Sequence, residues 1–221
     1  MPVEAFLREH AAQAARLDAF LRTLEREGEP DLAGLALAIP PARLAAMTLV
    51  YSMSVSLDGY IAGPDGDFGW SAPDAELHRF HNERVRTQSA QLMGRRLYET
   101  MLSWETDDPG WGEVEREWAA IWRPLPKVVF STTLDTVEGN ARLARGDVAE
   151  ELAQFDGEVA IGGPGLAASA ADLIDDYQLF VHPVVVGGGT PFFPPRRIDL
   201  ELVETRTFGS RVQYLRYRRV Q

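Results

Sequence analysis

No cysteine occurs in the 221 residues, which excludes disulfides, thiolate zinc sites and cysteine nucleophiles together and leaves the fold to stand on packing. No apolar run approaches the roughly 20 residues that a membrane-spanning helix needs. The first residues carry acids and alanines where a secretory signal would carry a basic and then an apolar stretch, so the expectation is a cytoplasmic protein with no membrane partner. Positive charge is also short. With 22 Lys and Arg against 33 Asp and Glu the net charge is -11, and no global field recruits nucleic acid. Missing too are a G-x-G-x-x-G after the first strand, a G-x-x-x-x-G-K-[ST] loop and a G-x-S-x-G elbow.

What is present is 45% apolar residues, enough for one good core with a modest appendage. The first 46 residues read as that appendage. In "EAFLREHAAQAARLDAFLRTLEREG" Leu7, Ala14, Leu17, Leu21 and Leu24 form one helical stripe, and Gly28 supplies a stop. From Met47 the style changes to alternation. Strands are expected at 48–55, in "AQLMG", "KVVFS" and "EVAIGG", with an edge strand near 141–143. Helices are expected at about 74–88, from Arg95 to about Ser103, from Asp147 to Phe155 and from Pro164 to Ile174. Such alternation implies a largely parallel sheet covered on both faces. "DYQLFVHPVVVGGGTPFF" and the pair "LELVETRTF" and "RVQYLRYRRV" then read as strands ending in an antiparallel hairpin.

Parallel sheets bind ligands beyond the carboxyl ends of their strands. After "AQLM" come Gly94, Arg95 and Arg96, a close-approach glycine with two cations opening a helix. After "KVVF" come the hydroxyls of Ser131 and Thr132, which suit a phosphate or a simple turn cap equally well. After "EVAI" come Gly162 and Gly163, then Pro164, Gly165 and Leu166 at a second helix start. The glycines of "GGGTPFF" fit a hairpin or a bulge. "SMSVSLDGYIAGPDGDFGW" ends a strand on Asp58 and continues through Gly59, Gly63, Gly66 and Gly69, a loop able to fold over a pocket. Asp58 reads either as a residue that holds or protonates a substrate or as a turn cap. His78 and His81, three apart on a helix without a third ligand, read as packing or solvent-facing residues rather than a metal pair, and no metal site is expected. His182 reads as core or interface. Trp111, Trp118 and Trp122 read as a core or interface stripe.

In this order, "SMSVSLDGYIAGPDGDFGW", "LMGRRLYETM", "KVVFSTTL", "VAIGGPGLAASAADLIDDYQLFVHPVVVGGGTPFF" and "YLRY" resemble the dihydrofolate reductase-like family related to the reductase (C-terminal) domain of bifunctional riboflavin-biosynthesis deaminase-reductases. The resemblance covers about residues 47–220. It implies a three-layer α/β/α dihydrofolate reductase-like fold over 47–221, with a mostly parallel sheet and a C-terminal antiparallel hairpin; the helical extension over 1–46 lies outside the resemblance. It further implies NADPH as cofactor, with Gly94, Arg95 and Arg96 near the 2′-phosphate and pyrophosphate and Ser131 and Thr132 in the same region. Gly162 and Gly163 would admit the pyrophosphate, with Gly165 and Leu166 beside it. Asp58 would face the nicotinamide, and Asp67 and Trp70 would line a substrate lid. The deaminase motif H-x-E with P-C-x-x-C is absent. The expectation is an NADPH-dependent reductase of a small pterin-like or pyrimidine-like heterocycle, working as a homodimer. Its rival is a non-catalytic NADP(H)-binding or regulatory module.

Overall fold

The computed structural model describes residues 47–220. The extension expected over residues 1–46 lies outside them. Strand β1 (Met47–Ser56) is followed by the short β2 (Tyr60–Ala62), α1 (Ala75–Arg86), β3 (Gln88–Gly94) and α2 (Arg95–Met101). Then come α3 (Glu113–Trp122), β4 (Lys127–Phe130), β5 (Ala141–Leu143), α4 (Val148–Leu152), β6 (Gly157–Gly162), α5 (Pro164–Ser169) and β7 (Asp176–His182). The chain closes with β8 (Thr190–Pro191), β9 (Leu200–Thr207) and β10 (Gln213–Arg219). Eight strands make one sheet in the order β5-β4-β3-β6-β1-β7-β10-β9, and β2 pairs with β8 separately. The first six of these strands run parallel, and β10 and β9 add the expected antiparallel edge.

Side-chain alternation along the strands builds two apolar layers. Leu49, Tyr51, Leu92, Val128, Val159 and Ile161 face α4 and α5, where Val148, Leu152, Ala167 and Ala170 cover them. Met93 and Val129 face the other way, onto Val85 of α1, Tyr98 of α2 and Trp122 of α3. A third cluster joins Leu77 and Phe80 of α1 to Phe180 and Tyr214 of the sheet. Asp74 caps α1 by accepting the Leu77 N–H at 2.8 Å, and Asp147 with Glu150 forms a capping box at α4.

Several boundaries differ from the sequence reading. Strand β7 stops at His182 because Pro183 brings no N–H to the ladder. Helix α5 ends at Ser169, five residues short of expectation, where Ala170 already leaves helical backbone at φ -105°. Trp111 lies outside α3 but still packs on Trp104, with ring centroids 5.0 Å apart. The glycines at 187–189 make neither a hairpin nor a bulge. They take positive φ and lead into β8, which pairs with β2.

Candidate functional site: a crevice at the centre of the sheet

Pairing of β1 with β6 runs only from Met47↔Gly157 to Tyr51↔Ile161. On its other side β1 stays paired with β7 as far as Ser56↔His182. Beyond Tyr51 the two central neighbours therefore diverge, since β6 turns at Gly162 into α5. Ser52, Met53 and Ser54 are accessible in consequence, although β1 is an interior strand. The opening lies at the carboxyl end of the parallel strands, between strands that the chain leaves in opposite directions, which is where open α/β sheets take ligands.

One side of the crevice is built from backbone. Gly94 ends β3, Ser131 follows β4 and Gly163 follows β6, three neighbouring strands. Gly163 has φ +92°, and a Cβ there would stand 3.6 Å from the Gly94 nitrogen. Two bare backbones thus face each other, with nothing within 4 Å of a Cβ on Gly165. Gly162 differs. It is buried beneath Leu97, whose Cδ2 would lie 2.2 Å from its Cβ, so its missing side chain serves the packing of α2. Arg95 and Arg96 are exposed at the start of α2, and Arg95 pairs with Glu99 on its own helix at 3.0 Å. Ser131 Oγ accepts the N–H groups of Thr133 and Leu134 at 3.1 and 3.0 Å, a local turn, while Thr132 is exposed. Leu166 is partly accessible. Helices α2 and α5 have only seven and six residues, so this side offers arginines and open backbone more than a helix macrodipole.

The other side is the loop after β1. Both oxygens of Asp58 are engaged: Oδ1 accepts the Val186 N–H at 3.2 Å and Oδ2 the Gly187 N–H at 2.8 Å. The carboxylate ties the end of β1 to the loop after β7. Gly189 completes the join, since a Cβ there would stand 2.1 Å from the Ala62 oxygen. The Ser56 hydroxyl foremost, then the Gly187 and Val186 amides, hold the Asp58 carboxyl below its ordinary range. It is ionised at neutral pH, a condition that suits anchoring and orienting rather than donating a proton. Asp67 is exposed and accepts the Gly69 N–H at 2.9 Å. Trp70 sets its ring edgewise to His182, centroids 5.6 Å apart, and its indole Nε1 is buried without a partner.

Sequence reading took His78 and His81 as packing or solvent-facing residues and His182 as core or interface; all three pack, and the fold also gathers them along this side. His78 lies between Trp104 and Trp118, with centroids 5.9 and 5.8 Å away. His81 stacks obliquely on Phe180 at 4.2 Å. His182 Nε2 is 3.3 Å from Ser54 Oγ. Burial lowers the pKa of all three, and for His81 mutual repulsion with His78 and His182 adds to burial and brings it to about 3. The imidazoles are neutral at neutral pH. The i, i+3 spacing of His78 and His81 placed them on one helix face, but nothing local tied His182 to them. Among the described residues no group of three or more His, Cys, Asp or Glu is arranged to hold a metal ion.

The family model described as the RibD C-terminal domain matches residues 47–154 and 150–214. The chain belongs to this family. The uncharacterised protein YyaP of Bacillus subtilis (strain 168) is 27% identical over 180 residues, 76% of this chain and 93% of that protein. Among solved structures, a Shewanella sp. PV-4 protein described as a riboflavin biosynthesis protein superposes with a TM-score of 0.62 at 23% identity, covering 79% of this chain and all of the other. Dihydrofolate reductase from Enterococcus faecalis, complexed with NADP(H), gives 0.53 at 18% identity, covering 79% and 97%. The dihydrofolate reductase-like fold of the RibD C-terminal domain is thus the fold of the described residues, with the crevice at its central switch point.

Proposed function

We propose that this RibD C-terminal domain protein is an NADPH-dependent reductase of a small pterin-like or pyrimidine-like heterocycle. The observation that carries the reading is the crevice itself: an interior strand made accessible at Ser52–Ser54, flanked on one side by facing backbones at Gly94 and Gly163. That pair suits a pyrophosphate, because no side chain keeps a ligand from the main chain. Arg95, Arg96, Ser131 and Thr132 would hold the 2′-phosphate end, with Arg95 exchanging Glu99 for phosphate, and Gly165 and Leu166 would border the pyrophosphate. NADPH supplies the hydride when bound. Asp58 would fix the lid over the crevice, and Trp70 and Asp67 would border the substrate and limit water.

The cofactor part is tested by calorimetry with NADPH and NADH, tighter NADPH binding being the expected result. The activity part is tested by loss of nicotinamide absorbance with a panel of reducible pterins and pyrimidines. Binding without turnover across the panel would favour the non-catalytic NADP(H)-binding module.

A further inference from the structure

The side of the crevice opposite the glycines carries chemistry that lid and cofactor do not use. Ser54 is partly accessible on β1, and His182, only 4% exposed, stands behind it with Nε2 at 3.3 Å from the serine oxygen. Trp70 adds a buried indole N–H that no acceptor in the described residues satisfies. An orphaned buried donor has lost its water without gaining a partner, so an acceptor brought to it gains more than it would at the surface.

Charge decides what kind of acceptor fits. The groups around His182 are Ser54 and Ser56 of β1, Trp70 of the lid and His81 of α1, and behind His81 stands His78. Glu115 and Glu117 of α3 act on His78 alone, and Glu117 is held by Arg86 and Asn82. Asp58 is turned to the Val186 and Gly187 amides, and Asp67 to its own turn. His81 lies on Phe180, two residues before His182 on the same face of β7, and neither ring has a carboxylate partner, so a proton on either lacks a counter-charge. A ligand that brings a negative charge supplies it.

We propose that the Ser54, His81, His182 and Trp70 wall binds its heterocycle as an anion, through an ionised ring oxygen or imide, and that the His182–His81 pair takes up a proton as the ligand binds. The proposal rests on the reductase reading only for taking the ligand to be a heterocycle. No bond forms or breaks beyond the proton, which comes from solvent when the ligand is already ionised and from the ligand's own ring N–H when it is not, and which stays on an imidazole facing the anion.

The probes are barbiturate, a pyrimidine ring ionised at neutral pH, and uracil, the same ring uncharged, titrated calorimetrically into the full chain with and without NADPH. Buffers of different ionisation enthalpy report the protons exchanged. Expected are net proton uptake with barbiturate, affinity that falls as pH rises from about pH 6 to pH 8, and weaker binding of uracil with no uptake. His182→Gln should abolish the uptake. His81→Phe, which keeps a ring against Phe180, should reduce it, so one packing-neutral variant is available if the first is unfolded by circular dichroism. Barbiturate binding without uptake, uracil binding as well as barbiturate, uptake that survives both variants, or no barbiturate binding at millimolar concentration would each overturn the proposal. Proton-linked binding in a protein that does not bind NADPH would support it while removing the reductase reading.

Discussion

Acid should destabilise this protein through His81, and the effect can be sized. The ring packs on Phe180, and burial first, then repulsion from His78 and His182, lowers its pKa from 6.5 to about 3. An imidazole with a depressed pKa binds its proton more weakly folded than unfolded. Its contribution to stability is thus complete above the unfolded value, near 6.5, and is lost as pH falls toward the folded one. Between about pH 7 and pH 4 the linkage amounts to at most about 3 kcal/mol, and to about half that where water reaches the partly accessible ring. The reference is His81→Phe, which keeps an aromatic ring on Phe180 and removes the titration. Urea unfolding of both proteins at the two pH values gives the comparison. The variant should gain about 1.5–3 kcal/mol on the wild type on going from pH 7 to pH 4. A stability difference that does not change with pH would refute the argument, because packing alone is indifferent to protons.

Gly163→Ala puts a Cβ at positive φ beside Gly94, which strains the turn by ~1–2 kcal/mol and should weaken NADPH binding about tenfold by calorimetry with little loss of fold. Asp58→Asn leaves an amide NH2 facing one of the Val186 and Gly187 N–H donors, so the lid should loosen. Turnover on an authentic substrate should fall about tenfold or more while NADPH affinity holds. Arg96→Ala should narrow the preference for NADPH over NADH by ~1.5–3 kcal/mol in paired titrations, since an exposed arginine with a phosphate partner loses a charge-assisted bond. The exposed edge strand β9, with Leu202 at 50% and Val203 at 43% exposure, leads us to expect a homodimer, and a monomer mass by light scattering at micromolar concentration would contradict it.

The alternation of apolar strands with amphipathic helices from Met47 onward already dictated a parallel sheet with helices on both faces, because period 2 and period 3.6 patterns bury differently. Glycines and hydroxyls just after "AQLM", "KVVF" and "EVAI" marked the ligand end, since strand polarity alone puts these positions on one edge. Even the edge strand near 141–143 was expected, and it closes one end of the sheet. What the linear pattern left open was which strands are neighbours. Only the insertion of β6 between β3 and β1, and its departure at Gly162 while β1 runs on beside β7, creates the crevice at Ser52–Ser54. Asp58 was conspicuous for its place at a strand end, yet its partners Val186 and Gly187 lie some 128 residues away and came from the pairing of β2 with β8. Gly162 was conspicuous as a glycine at the ligand end, but its room for Leu97 was not legible, because that contact is set by how α2 crosses the sheet. His182 joins His78 and His81 because α1 packs on β7. Residue type and spacing encode what a segment can do locally, whereas the charge state of an imidazole and the orphaning of an indole N–H depend on what other segments bring within a few ångströms, and only the packed chain decides that.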